Sequence, residues 1–202
     1  MGVTAKQFEA MVSRVQGGGK EAPSTGSSDS YLPAVQGQVV IGIDPSLRGT
    51  GFGVIRIEKP TPVLLDLGVI ECPSSLRRSQ CLARIALGIR KVVERHSPEV
   101  CVIEGLFYAQ NYRTALTMGE ARGASLAAVA EGGLVIYELA PRKVKQAIVG
   151  YGAAQKDAVA KMVQRMLNLE SQPQADAADA LALALTHVQI HAPGSLTPPE
   201  SL

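Results

Sequence analysis

Apolar residues change their period partway along this chain, and that change limits the fold more than any other feature. Through Gln38–Asp44, Gly51–Glu58 and Val63–Glu71 the pattern suits three consecutive strands, with Lys59-Pro60-Thr61-Pro62 making a hairpin of the second and third. Then Leu82, Ile85, Ala86, Ile89, Val92 and Val93 recur at helical spacing, and Pro98 closes that helix. A strand over Glu99–Glu104 follows, then a helix over Arg113–Glu131 and a strand over Leu134–Leu139. Helices near Pro141–Val149, Gln155–Leu167 and Ala175–Gln189 complete the order. Antiparallel strands first and crossover units afterwards imply an α/β fold, a mixed five-stranded sheet with helices on both faces.

Acids sit at the ends of these elements. Asp44 ends the apolar run Val39-Val40-Ile41-Gly42-Ile43, and Glu104 ends Val100-Cys101-Val102-Ile103. In such a sheet the ends of the first and fourth strands can be neighbours. Asp176 and Asp179, three apart on the last helix, share one face of it and can lie over them. Four carboxylates arranged this way suit hard divalent cations, which prefer oxygen ligands. The local alternatives are ordinary turn acids and, for Asp176, an N-cap or first-turn acid favoured by the helix dipole.

Net charge is only +2, so its distribution says more than its size. Between Pro141 and Arg165 stand Arg142, Lys143, Lys145, Lys156, Lys161 and Arg165 against the single acid Asp157. Such a cluster binds phosphates or forms a solvated helix face. Cys72, Cys81 and Cys101 have no C-x-x-C spacing and read as reduced thiols of a cytosolic protein, Cys101 within the core. No apolar run reaches the length of a membrane span. His187 and His191 have i, i+4 spacing, which a metal can use, but a helix-end dipole contact is the simpler reading. Gly49, Gly51 and Gly53 form no phosphate loop, so ATP hydrolysis is not indicated. In the helix at 113–131, Gly119, Gly123 and Ala127 make a small-residue stripe suited to a second helix, either the partner subunit's or the chain's own sheet.

Ile41-Gly42-Ile43-Asp44-Pro45, followed by Thr50-Gly51-Phe52-Gly53-Val54-Ile55, resembles the first-strand signature of the RuvC family of Holliday-junction resolvases. Ile103-Glu104-Gly105-Leu106-Phe107 and Ala175-Asp176-Ala177-Ala178-Asp179-Ala180-Leu181-Ala182 resemble its later acidic motifs, and Gln146–Gly152 with Lys156 resembles the segment between them. The resemblance spans residues 38–190. It implies a ribonuclease H-like fold, a homodimer and a metal-dependent endonuclease that resolves four-way DNA junctions by paired symmetric nicks in recombination and repair. The implied ends are 5′-phosphate and 3′-hydroxyl.

The same resemblance implies Asp44, Glu104, Asp176 and Asp179 as catalytic and metal-holding residues, with two Mg²⁺ per site and Mn²⁺ as a substitute. It also implies a cytoplasmic protein whose further partner is the RuvA–RuvB branch-migration complex. Lys145 and Lys156, helped by Arg142 and Lys143, are the phosphate-binding candidates, and Phe107 is the aromatic placed to stack on an unstacked base. One departure is visible: Ser46 stands where the family usually has glycine, which bears on the loop's geometry because serine enters positive φ less cheaply. The alternatives are another ribonuclease H-like nuclease acting on RNA or RNA–DNA hybrid, and a junction-binding protein whose catalysis has lapsed. Residues 1–36 are expected to be a disordered extension, 37–191 the nuclease domain and 192–202 a disordered tail.

Overall fold

In the computed structural model, residues 34–105 and 111–190 are described. The chain divides into Met1–Ser30 and Tyr31–Leu202, and everything below belongs to the second unit. The two segments expected to be disordered therefore lie outside the described residues, apart from positions 34–36.

Five strands form one sheet: β1 (Val39–Asp44), β2 (Gly49–Arg56), β3 (Val63–Glu71), β4 (Val100–Glu104) and β5 (Val135–Leu139), in the spatial order β3-β2-β1-β4-β5. The first three pair antiparallel, and β1–β4 and β4–β5 pair parallel, as the order of patterns implied. The helices are α1 (Arg78–His96), α2 (Tyr112–Glu131), α3 (Pro141–Val149), α4 (Lys156–Met166) and α5 (Ala175–Ile190).

Local chemistry sets several boundaries. Pro141 opens α3, where its missing N–H is no loss, and Gly150 closes it at φ 94°. The Asn111 side chain accepts the Thr114 backbone N–H at 2.9 Å and starts α2. Helix α1 begins four residues before its first apolar repeat at Leu82, because Gln80 accepts the Arg77 N–H at 2.9 Å and supports an earlier turn. Strand β2 begins at Gly49 rather than Gly51, since pairing of Gly49 with Glu71 of β3 extends it.

Alternate residues of the central strands face two cores. Val40, Val100 and Val102 pack with Val144, Ile148, Val159, Val163, Leu181 and Leu185 beneath α3, α4 and α5. Ile41, Ile43, Cys101 and Ile103 pack with Cys81, Ile85, Ile89, Ala121 and Val129 beneath α1 and α2. Two-sided burial is why β1 and β4 read as unbroken apolar runs, and why the acid ending each is conspicuous. Among the described residues no helix is long and apolar enough to cross a membrane.

Candidate active site

Register brings the first two acids together. Strands β1 and β4 run parallel with Ile43 opposite Ile103, so Asp44 and Glu104 leave the same end of adjacent strands. The last helix crosses above them with almost no clearance. A Cβ on Gly42 would lie 1.9 Å from the Ala180 carbonyl oxygen, and one on Gly51 would lie 2.0 Å from that of Asp176. Those distances are far inside van der Waals contact, so only glycine lets the α5 main chain rest on β1 and β2. Ala177, Ala178 and Ala180, all buried, keep the helix side of that contact thin. Asp176 and Asp179 are thereby carried to the strand ends.

All four carboxylates line one cleft of about 430 Å³, with Lys145 and Lys156 on its wall. Burial, then the nearby charges of Glu104 and Asp179, push the Asp44 carboxyl up to about 8, and Lys156 opposes the shift. Burial also raises Glu104, while a hydrogen bond from Asp44 pulls it the other way. The Lys156 Nζ donates to Asp179 Oδ2 at 2.8 Å, and that bond raises the lysine above its ordinary value.

Among the described residues, no three acid, histidine or cysteine side chains are drawn tightly around a single point. The donor set nonetheless fits hard divalent ions: its ligands are all oxygen, and its mutual repulsion is relieved by bound positive charge. Removing two buried, like-charged groups from water is costly, and here the protein meets that cost with a proton on Asp44 and an ammonium on Asp179.

The other sequence candidates separate. Arg142 and Lys143 are exposed on α3 and do not line the cleft. Phe107 lies outside the described residues, as does His191. Lys161 pairs with Asp157 at 2.7 Å on the solvent side of α4, which fits the solvated-face reading. His187 is buried and stacks on Tyr137, ring centroids 5.5 Å apart, so it is a core residue. Gly123 and Ala127 are exposed, so that part of the α2 stripe faces away from the chain's own sheet.

Ser46 does not need the left-handed region. Among the described non-glycine residues only Ser97 and Asn168 have positive φ. The loop is instead pinned by buried Thr50, whose Oγ1 donates to the Ser46 carbonyl at 2.7 Å and accepts the Ser46 N–H at 3.4 Å.

Sequence reasoning missed Arg122. Its side chain, mostly buried, ion-pairs with Glu138 of β5 and donates to the Glu104 carbonyl at 3.4 Å, fixing the end of β4 from behind. The available signal was a lone acid inside the apolar strand Val135–Leu139 and an arginine midway along an alanine- and glycine-rich helix.

The sequence profile of one family, described as "Crossover junction endodeoxyribonuclease RuvC", matches residues 40–187. The chain is 42% identical over 160 residues to a protein of that description from Chromohalobacter salexigens, covering 79% of this chain and 86% of the relative. A relative of the same description from Acinetobacter baumannii is 43% identical over 159 residues, with the same coverage. Among solved structures, "T. thermophilus RuvC in complex with Holliday junction substrate" is similar at TM-score 0.74 and 34% identity, over 82% of this chain and 99% of that one. A yeast mitochondrial Holliday junction resolvase, at TM-score 0.57 and 13% identity over 79% of this chain and 83% of that one, shares the fold.

Proposed function

This chain belongs to the RuvC family, the crossover junction endodeoxyribonucleases, and from that premise we propose that its carboxylate cleft cuts four-way DNA junctions. The activity is phosphodiester hydrolysis that leaves 5′-phosphate and 3′-hydroxyl ends, serving recombination and repair. The observation that carries the assignment to this site is the meeting of Asp44, Glu104, Asp176 and Asp179, from two strands and a helix, in a cleft that also holds Lys145 and Lys156.

Asp44, Glu104, Asp176 and Asp179 are the residues that would hold the cations, two Mg²⁺ per site, with Mn²⁺ able to replace them. Bound divalent ions supply an activated water and stabilise the charge that builds on the phosphate and the departing 3′-oxygen. The chain's own groups do the rest. Lys156 projects from the start of α4 toward Asp179, and Lys145 faces the same space from α3, so both can hold a phosphate against the acids. The Arg122 contact to the Glu104 carbonyl keeps the β4 end in place while charge accumulates in front of it. Val144, Val159 and Leu183 form an apolar floor that limits water around the reacting phosphate.

Two symmetry-related nicks require two such sites. The outer face of α2, where Tyr112 is 79% and Leu116 44% exposed beside exposed Gly123 and Ala127, supports a homodimer built on that helix. The RuvA–RuvB complex is the partner that would present the junction, in the cytoplasm.

The test is a mobile four-way junction incubated with the protein and Mg²⁺, beside an RNA–DNA hybrid and the Asp44→Asn variant. The wild-type protein should nick the junction in symmetry-related strands and leave the hybrid intact, while the variant binds the junction without cutting it. Metal-dependent cutting retained by Asp44→Asn would remove the assignment, and preferential cutting of the hybrid would favour the other nuclease class.

A further inference from the structure

Three hollows meet at Ser46. One is the carboxylate cleft. A second, of about 720 Å³, runs past Val69, Glu71 and Pro73 to Asp176. A third, of about 460 Å³, opens against the first turns of α2. Ser46 stands in the wall of all three; Asp176 is shared by the cleft and the second, Met118 by the cleft and the third. A strand laid across the cleft therefore has an exit on either side of the Ser46 loop.

The two exits differ in charge. Arg48 lines both, but in the second it stands beside two acids, Glu71 and Asp176, where a phosphodiester backbone meets like charge. Arg48, Arg113, Thr114 and Thr117 line the third, with no acid among its described lining residues. Arg48 is committed elsewhere: its Nη1 donates to the carbonyls of Pro73 at 2.8 Å and Leu76 at 3.2 Å. The Thr117 hydroxyl donates to the Arg113 carbonyl at 3.0 Å and is likewise spent. The cation left is Arg113, exposed and in no ion pair among the described residues, and across the hollow stands the Ser46 hydroxyl, exposed on a loop that buried Thr50 holds in both directions. A donor on a pinned loop loses little conformational freedom when it binds.

Resting on the reading of the cleft as a junction-cutting site, we propose that Ser46 and Arg113 form a second phosphate seat, for the phosphate next to the scissile one. The junction strand then leaves the cleft toward the start of α2 rather than toward Glu71. Arg113 supplies the charge and a planar fork for phosphate oxygens; Ser46 supplies a fixed hydroxyl at the mouth of the cleft.

The experiment measures junction binding by the full chain in EDTA across a salt series, and single-turnover cutting in Mg²⁺, for wild type, Arg113→Ala, Arg113→Lys, Ser46→Ala and Glu71→Gln. Arg113→Ala should weaken binding about tenfold at low salt and flatten the plot of log affinity against log salt by about 0.9, the loss of one phosphate contact. Arg113→Lys should restore that slope. Ser46→Ala should raise the half-saturating junction concentration about threefold, at the low end of the net worth of one hydrogen bond, with the saturated cutting rate within about twofold. Glu71→Gln should match wild type. If wild type cuts the junction while Arg113→Ala keeps both its affinity and its salt slope, or Glu71→Gln shifts them more, the seat is overturned alone. If wild type neither binds nor cuts the junction, the reading of the cleft falls and the seat falls with it.

Discussion

Asp44 holds a proton at neutral pH because burial and two neighbouring carboxylates disfavour its charge. The linkage has a definite sign. A carboxyl raised from 3.8 to about 8 on folding contributes stability that is complete below the lower value and is lost as pH climbs through the upper one. Metal-free protein should therefore be less stable at pH 9 than at pH 5, by on the order of a few kcal/mol, and should melt at a lower temperature there. Asp44→Asn should flatten that dependence, and Mg²⁺ should raise the melting temperature more at pH 9 than at pH 5, since cation and proton compete. A metal-free melting temperature that holds level or rises over this range would show that the carboxylates are not crowded. Arg122 makes a separate case. Arg122→Gln removes the guanidinium that steadies the Glu104 carbonyl, and cutting should fall about 10–100-fold with junction affinity near wild type. An equal fall in affinity would mean that Arg122 acts on the DNA instead. At this scale the sequence was legible for the acids, which interrupt apolar runs. It was silent on Arg122, because an ion pair between a helix and a strand depends on an approach that no local pattern encodes.

At the scale of elements, the placing of α5 decides the site. Its main chain meets β1 and β2 at Gly42 and Gly51, so a methyl group at either should lift the helix and spread the acids. Gly51→Ala should cost about 1–3 kcal/mol or more, as overpacking does, which for a domain of this size lowers the melting temperature by several degrees. Cutting should fall further than stability explains, because a 1 Å displacement of catalytic groups can cost about 100-fold. A Gly51→Ala protein with wild-type melting and wild-type cutting would contradict the close seat. The three glycines 49, 51 and 53 stand out in the sequence, yet there they serve only to exclude a phosphate loop. Their use as a helix seat follows from which helix crosses them, information carried by the packing of distant segments. By contrast, the small-residue stripe on α2 draws attention in the sequence, but among the described residues a Cβ on Gly123 would meet nothing within 4 Å.

For the molecule as a whole, the mixed sheet and the neighbouring ends of β1 and β4 were readable, because hairpin and crossover rules leave few topologies for such an order of elements. The hollows around Ser46 were not, since each is walled by residues from two or more segments far apart in the sequence. Assembly gives the matching prediction. Leu116→Glu places a charge on the exposed apolar face of α2 and should leave the fold intact, while sedimentation shifts from dimer to monomer and paired nicking gives way to single nicks. A dimer that survives the change would move the interface to another face. The seat of α5 on the sheet has a consequence for how such a protein can change over generations. Because helix and strands touch through main-chain atoms, the spacing of the four acids is written into backbone geometry and not into the side chains around it. Most of the surface and much of the core can drift in sequence without detuning the site, whereas Gly42 and Gly51 have almost no permitted replacements.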